Sequence, residues 1–133
     1  MRNARITQEC IVNIKNEPGE GARLLSLLAE KGVNLEGFVG YGMGPDAPAC
    51  IHVAAEKPDD ACDAIKGAGF DCQMSECVTV EVPNEPGESA KVLRKLADAG
   101  VDIEHCYATA SGIGSGLIIL RTKDNAKAVS VLK

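Results

Sequence analysis

The segment Asn16-Glu17-Pro18-Gly19 combines residue types that can bind a small charged molecule. The side-chain amide of Asn16 can both donate and accept hydrogen bonds, and Gly19 lets a ligand approach the backbone closely. If a helix begins at this turn, its free N–H groups and partial positive charge favour a carboxylate. The combination suits a free amino acid, which carries both an ammonium and a carboxylate group.

The same turn occurs a second time, as Asn84-Glu85-Pro86-Gly87. The similarity extends further, because NEPGEGARLLSLLAEKGVNLEGF from Asn16 matches NEPGESAKVLRKLADAGVDIEHC from Asn84. A repeat near half the length of a 133-residue chain predicts two similar small units, residues 1–75 and 76–133. A single Pro-Gly turn is more often only the start of a helix, whereas its repetition favours a binding role.

The cysteines and histidines are the other residues with chemical potential. The chain contains six cysteines: Cys10, Cys50, Cys62, Cys72, Cys77 and Cys106. No Cys-x-x-Cys pair is present, and the spacing of Cys72 and Cys77 is a poor match to zinc ligands. We therefore expect unpaired thiols and no metal. His52 and His105 stand in no recognisable triad spacing, so we interpret both as satisfied or solvent-facing, and we expect no catalytic residue and no cofactor.

The elements that must position the turns follow from hydrophobic periodicity. Residues 9–15, ECIVNIK, alternate as in a strand, and a helix should begin near Pro18. The residues that recur identically along this helix predict its buried stripe: Ala22, Leu25, Leu28 and Ala29, repeated as Ala90, Leu93, Leu96 and Ala97. Leu24 and Val92 broaden that stripe, and Gly32 and Gly100 are expected to end the helices in a left-handed conformation.

The remaining segments complete a regular pattern in each half of the chain. VNLEGFVGYGM, ACIHVAA, VDIEHCYATA and LIILRT read as strands, joined by hairpin turns at PDAP and SGIGSG. Second helices are predicted from Pro58 and from Asp124. FDCQMSE is a fourth strand that leads directly into CVTVEV, the first strand of the second half.

Each half therefore has the order β-α-β-β-α-β, which is the ferredoxin-like arrangement of the α+β class. Two such units are predicted in tandem, with the helices on one face of each antiparallel sheet. The sequence stops at Lys133, within or just after the last predicted helix, so the final strand of the second unit is absent. That position is expected to be supplied by a further tail, left open, or filled by a partner.

A ferredoxin-like unit with Asn-x-Pro-Gly at its first turn, followed by the helix exit Gly-Val-Asn-Leu or Gly-Val-Asp-Ile, resembles the ACT domain family. The resemblance covers nearly the whole chain apart from the final strand. It implies a non-catalytic regulatory protein that binds an amino acid at an interface between two ACT units. It also implies a homodimer and, downstream, a metabolic enzyme that responds to the ligand.

The resemblance also assigns candidate ligand-binding residues, from the first turn of each unit and from the start of its second strand. In the first unit these are Asn16, Glu17, Pro18, Gly19, Asn34 and Leu35, and in the second Asn84, Glu85, Pro86, Gly87, Asp102 and Ile103. Asp102 departs from Asn34, because a carboxylate accepts hydrogen bonds but does not donate them. If one unit alone binds ligand, we expect Asn16 with Asn34.

Composition argues against several other partners. The net charge is −5 and aromatic residues make up 3%, so neither a basic stripe nor a stacking platform for nucleic acid is present. No segment approaches the roughly 20 apolar residues of a membrane helix, and the first residues lack the apolar region of a signal peptide. We therefore expect a cytoplasmic protein that contacts no membrane.

Four alternatives compete with amino-acid binding. An acylphosphatase-like enzyme would need an arginine loop at the first turn, and a metal carrier of this fold would place Cys-x-x-Cys there. GFVGYGMG, from Gly37, does not match the phosphate-binding pattern GxxxxGK[ST]. The remaining alternative is a pure interaction module, a regulatory subunit of a metabolic enzyme that has no ligand of its own. The sequence names neither the amino acid nor the enzyme.

Overall fold

The computed structural model describes residues 2–110 and 112–133 of the chain. Their helices and strands follow one another as β1 (Arg2–Ile14), α1 (Glu20–Glu30), β2 (Leu35–Gly42), β3 (Ala49–Ala55), α2 (Pro58–Gly67), β4 (Asp71–Pro83), α3 (Glu88–Asp98), β5 (Ile103–Ala110), β6 (Ser115–Thr122) and α4 (Asn125–Leu132). Across this described part of the chain, no helix combines the length and the apolar character needed to cross a bilayer.

The chain divides into two compact units. The N-terminal unit is Gln8–Ser75, and the C-terminal unit is Glu76–Lys133 together with the residues up to Thr7. β1 and β4 are each 13 residues long, and each passes from one unit into the other. The sequence had placed the residues before Gln8 in the first unit, whereas contacts group them with the second.

The N-terminal unit has two helices on one face of a sheet with the strand order β2-β3-β1-β4. β1 and β3 are antiparallel, with Val12 opposite Ile51, and β2 and β3 are antiparallel as well. The core holds the inward side of β1 and β3 against Leu24 and Leu28 of α1 and Ile65 of α2. The alternation of residues 9–15 correctly predicted which side of β1 is buried.

The C-terminal unit repeats this plan with the strand order β5-β6-β4-β1. Its fourth position, predicted to lack a strand of the same unit, is occupied by the start of β1, and Ala4 of that segment is buried in the core. The sequence did not predict that the start of β1 would supply this strand. The segment was missed because a strand at the margin of a small core needs few inward apolar residues to mark it.

Most element boundaries agree with the sequence. α2 begins at Pro58, residues 71–83 form the one long strand predicted from FDCQMSE and CVTVEV, and the two helix-ending glycines, Gly32 and Gly100, have φ of +70° and +73°. α1 begins at Glu20 rather than at Pro18, because the left-handed Gly19 delays the first turn. In the predicted hairpin turn SGIGSG, Ser111 lies outside the described residues.

The predicted buried stripe of the first helix is only partly right in each unit, since four of its members are buried as predicted and six are not. α1 buries Leu24 and Leu28, and α3 buries Val92 and Leu96. Among the residues that are identical between the repeats, Leu28 and Leu96 alone lie in the core of this helix. The reason is the orientation of α1, whose Gly21 faces Ile51 of β3 and thereby turns the face of residues 21, 24 and 28 toward the sheet. The residues wrongly assigned to the core are exposed or half-buried: Ala22, Leu25, Ala29, Ala90, Leu93 and Ala97.

This orientation predicts unequal costs for two leucine truncations in α3. Leu96→Ala should lower the free energy of unfolding by about 2–5 kcal/mol, because it removes a fully buried side chain and leaves a cavity. Leu93, three residues away and 38% exposed, should cost under about 1 kcal/mol when changed to alanine. Urea denaturation of both variants measures the difference, and equal costs would contradict the orientation of α3.

Candidate functional site

Each predicted binding turn adopts the same backbone conformation. α1 follows Gly19 at φ +92° and α3 follows Gly87 at φ +87°. This left-handed conformation favours glycine strongly, since a Cβ is strained there. Nothing stands within 4 Å of the place where a Cβ of Gly19 would lie. The space beside this glycine is therefore open, and its use by a ligand stays a prediction.

The two asparagines of the turns are used differently. Asn84 Nδ2 donates a hydrogen bond to the backbone oxygen of Gly112 at 2.6 Å, and the Asn84 N–H donates to the Gly114 oxygen at 2.8 Å. Asn84 thus fastens its turn to the β5–β6 loop. The Asn16 side chain lies against Gly42, with its Nδ2 3.3 Å from the place of a Gly42 Cβ. It forms no hydrogen bond with any residue that the structure describes.

Asn16 lines an open depression of about 570 Å³ within the N-terminal unit. This volume falls in the range of small-molecule sites, roughly 300–1,000 Å³. Its walls come from the end of β1, the following turn, the β2–β3 loop and the start of β4. They comprise Asn13, Ile14, Lys15, Asn16, Glu17, Asp46, Ala47, Pro48 and Asp71.

The depression carries both signs of charge. Lys15 supplies one cation, and Glu17, Asp46 and Asp71 supply carboxylates. Asn13 Nδ2 donates to Asp71 Oδ2 at 3.4 Å, which links β1 to β4 beside the depression. Asp46 has φ +62°, a left-handed conformation in which aspartate is among the better tolerated residues. The charges match a zwitterion, which has a carboxylate for Lys15 and an ammonium for the acids.

The turn of the C-terminal unit borders a smaller pocket, which lacks a cationic lining residue. This pocket, about 170 Å³, is lined by Asn84, Glu85, Glu88 and parts of β4, β5 and β6. No lysine or arginine is among its lining residues. Pro86 and Gly87 stay exposed at the turn, so the two repeats present similar backbones but unequal pockets.

The glutamates that open the two helices are paired on their own helix. Glu20 Oε2 accepts a hydrogen bond from Arg23 at 3.1 Å, and Glu88 Oε1 accepts one from Lys91 at 2.9 Å. The hydrogen bond and charge of Glu88 raise the pKa of Lys91. Because each glutamate has a cation beside it, its repulsion of a ligand carboxylate is reduced.

Asn34 and Asp102 lie at the far end of the first helix of their units. α1 separates Asn16 from Asn34, and its 11 residues span about 16 Å. Asn34 lines another depression, of about 370 Å³, together with Glu56 and Lys57. The structure therefore does not bring Asn16 and Asn34 of one unit into a single pocket.

The difference between Asn34 and Asp102 is matched by their neighbours. Asn34 Nδ2 donates to Glu56 Oε2 at 3.4 Å, whereas Asp102 Oδ2 lies 3.6 Å from Lys123 Nζ. The backbone N–H of Glu56 also donates to the carbonyl oxygen of Asn34. In the second unit, the backbone N–H of Lys123 donates to that of Asp102 in the same way. Leu35 and Ile103, the next residues, pack against the cores of their units.

Two side-chain clusters of the N-terminal unit were missed by sequence reasoning. His52 Nδ1 lies 3.0 Å from Glu9 Oε1, and His52 Nε2 lies 2.9 Å from the Tyr41 hydroxyl. The interpretation of His52 as a satisfied histidine is thereby confirmed. The second cluster consists of Cys10, Cys62 and Cys72. Its members lie too far apart in the sequence for local spacing to reveal them.

Comparison with protein families identifies the arrangement. The family described as an ACT domain pair matches residues 4–133, which includes the start of β1 and both repeats. This chain belongs to the ACT domain pair family. The tandem of two ACT units and the ferredoxin-like fold predicted from the sequence are thereby confirmed. No curated protein matches the sequence of this ACT pair.

Solved structures support the same fold for the ACT pair. Protein BT0572 from Bacteroides thetaiotaomicron is 26% identical with a TM-score of 0.85, over 98% of this chain and 88% of that one. The ligand-free regulatory subunit of aspartate kinase from Thermus thermophilus is 17% identical with a TM-score of 0.66, over 97% and 93%. The corresponding subunit from Thermus flavus is 17% identical with a TM-score of 0.62, over 97% and 94%.

Proposed function

We propose that this ACT pair is a non-catalytic sensor that binds a free amino acid at the depression beside Asn16. The ligand carboxylate binds Lys15, the Asn16 amide and the N-terminal end of α1. The ammonium binds among Glu17, Asp46 and Asp71. The side chain of the amino acid then points out of the open depression, where a second ACT unit of a homodimer completes the site.

The availability of the Asn16 amide carries this proposal. A polar group that already has a good partner gains little from a ligand, because binding must first break that bond. Asn84 has such a partner in Gly112, whereas Asn16 has none within the described part of the chain. The charges around Asn16 add orientation, since a zwitterion placed backwards would meet like charge at both ends.

The response to the ligand follows from its contacts with several segments. Lys15 and Asn16 follow β1, Asp46 lies in the β2–β3 loop, and Asp71 begins β4. A ligand held by all of them stabilises the arrangement in which they converge, in proportion to its differential affinity for that arrangement. We propose that a metabolic enzyme of the cytoplasm reads this shift. The resemblance to regulatory subunits of aspartate kinase supports a partner of that kind.

Asn16→Ala should weaken amino-acid binding by roughly 10- to 100-fold, because it removes a hydrogen bond to a charged group worth roughly 1.5–3 kcal/mol. A thermal-shift screen of the purified chain against the twenty amino acids first identifies the ligand, because binding to the folded state raises the melting temperature. Calorimetric titration of wild type and variant then measures the loss. The melting temperature of the free variant should be unchanged, since Asn16 is exposed.

Asn84→Ala is the matched control. It should lower the melting temperature of the C-terminal unit and leave ligand affinity unaltered, because Asn84 Nδ2 serves the Gly112 carbonyl. An Asn84→Ala variant that loses binding while Asn16→Ala retains it would place the site in the other unit. Absence of any melting shift with all twenty amino acids would favour the second candidate, a regulatory subunit that assembles with an enzyme and has no ligand of its own.

The homodimer is a separate part of the proposal. Large apolar side chains stand exposed along and just after β2, where Phe38, Tyr41 and Met43 are 50%, 45% and 62% exposed. β2 is also the last strand on its side of the N-terminal sheet, so its outer hydrogen-bonding groups are available to a second copy. Light scattering of the purified chain tests this, and a monomer at all concentrations would contradict it.

A further inference from the structure

Three cysteines of the N-terminal unit converge from three different elements. Cys10 lies on β1, Cys62 on α2 and Cys72 on β4. Their sulfur atoms all lie within 4.8 Å of one another, and the Sγ atoms of Cys62 and Cys72 are 3.4 Å apart. All three are buried, with 0%, 3% and 5% of their surface exposed. We propose that Cys10, Cys62 and Cys72 form a three-thiolate site for Cu(I).

The geometry fits three-coordinate binding with little movement. Three sulfurs at about 2.3 Å from one metal in a planar triangle stand about 4 Å apart. The Cys62–Cys72 separation of 3.4 Å is shorter than that spacing and no separation exceeds 4.8 Å, so a metal ion needs only small rotations of the side chains. Residues on two strands and a helix hold the thiols in place, which is the rigid support that a metal site requires.

The surroundings select the ion. Thiolates are soft ligands and favour Cu(I) and Zn(II). Zn(II) takes four ligands in a structural site, whereas the core around the trio is apolar, including Val12, Ile65 and Phe70. The Cys10 thiol also donates to the Pro58 carbonyl oxygen at 3.7 Å, a distance too long for a metal ligand. Among the described residues, the three sulfurs are not joined by a fourth histidine, cysteine or carboxylate ligand, and a three-sulfur site matches Cu(I).

The charges near the trio set its proton chemistry. Burial raises the pKa of Cys62, and the hydrogen bond from Cys10 raises the pKa of Cys72. The Cys62 and Cys72 thiols therefore stay protonated at neutral pH in the free protein, and metal binding releases protons to solvent. The Lys66 ammonium acts in the opposite direction on both groups and favours the thiolate form, while Asp63 opposes it at Cys62.

Competition with a Cu(I) chelator tests the site. The reduced full-length chain should retain one Cu(I) per chain against bicinchoninate, and should bind Zn(II) more weakly. Cys62→Ser and Cys72→Ser should each lower Cu(I) affinity by about 100-fold or more, the upper end of the loss caused by an outer-shell change. The controls are Cys50→Ser, a buried thiol outside the trio, and Cys106→Ser, an exposed one. Both should bind as wild type does.

Three outcomes would overturn the proposal. The chelator could remove all copper from the wild-type chain, Cys106→Ser could abolish binding, or Zn(II) could bind where Cu(I) does not. If the serine variants do not fold, the test uses wild-type protein under mildly denaturing conditions. The rate at which each cysteine is alkylated is then compared with and without Cu(I). Cu(I) should protect Cys10, Cys62 and Cys72 more strongly than Cys50, which lies in the same unit and shares any general stabilisation, and should leave the exposed Cys106 as reactive as before. Equal protection of all six thiols, or of none, would refute the site.

Discussion

Replacement of His52 by alanine is expected to lower the free energy of unfolding by about 3–5 kcal/mol, the usual cost of removing one partner from a buried pair. His52 Nδ1 stands 3.0 Å from Glu9 Oε1, and the two side chains are 4% and 0% exposed. The alanine variant takes an imidazole away from a fully buried carboxylate and also leaves a cavity on β3. Denaturation by urea at neutral pH measures the loss.

Tyr41→Phe is the matched control at the other end of the same cluster. It removes the hydroxyl that lies 2.9 Å from His52 Nε2 but retains the ring, which stacks on the imidazole at 5.7 Å. Because Tyr41 is 45% exposed, water can replace its hydroxyl, and the cost should be about 1 kcal/mol. A His52→Ala variant no less stable than Tyr41→Phe would show that the Glu9–His52 pair contributes little.

Ala4→Asp should destabilise the C-terminal unit selectively, by about 3 kcal/mol or more, because it places a charge in an apolar core. Ala4 is 8% exposed and packs in the core that also contains Val92 and Leu96. Amide hydrogen exchange measures the stability of each unit separately. Amides of α3 and β6 should exchange faster in the variant, while those of α1 and β3 should retain their protection.

Ile6→Asp provides the control for that experiment. It adds the same charge to the same strand, two residues away, at a position that is 42% exposed. Its cost should stay below about 1 kcal/mol, since an exposed carboxylate remains hydrated. If Ala4→Asp accelerates exchange in α1 and β3 as much as in α3 and β6, the assignment of residues up to Thr7 to the C-terminal unit is wrong.

The fold was predictable because local patterns determine most of it. The alternation in residues 9–15, Pro58 at the start of α2, and the helix-ending glycines are each determined by a few neighbouring residues. The start of β1 could not be predicted in the same way. Its partner is β4, about half the chain away, and the polar segment around Arg2–Thr7 carries little periodicity of its own.

The candidate site was predictable in its backbone and not in its side chains. The Asn-x-Pro-Gly sequence predicts a turn followed by a helix in each unit, although the left-handed conformations of Gly19 and Gly87 were not predicted. It does not reveal that Asn84 binds the backbone of Gly112, because that bond depends on the path of a distant loop. The same holds for the three thiols, whose closest pair in sequence is separated by 10 residues and belongs to two different elements.

Because β1 passes from one unit into the other, the two units differ in how the chain builds them. The N-terminal unit is one continuous stretch of chain, whereas the C-terminal unit is assembled from two stretches. A gene divided after Ser75 would therefore yield one fragment with a surplus strand and another without its fourth strand. Moving RNARIT from before Gln8 to a position after Lys133 would restore two contiguous βαββαβ units. Such a circular permutation is the rearrangement by which this tandem and a simple head-to-tail duplication can be interconverted.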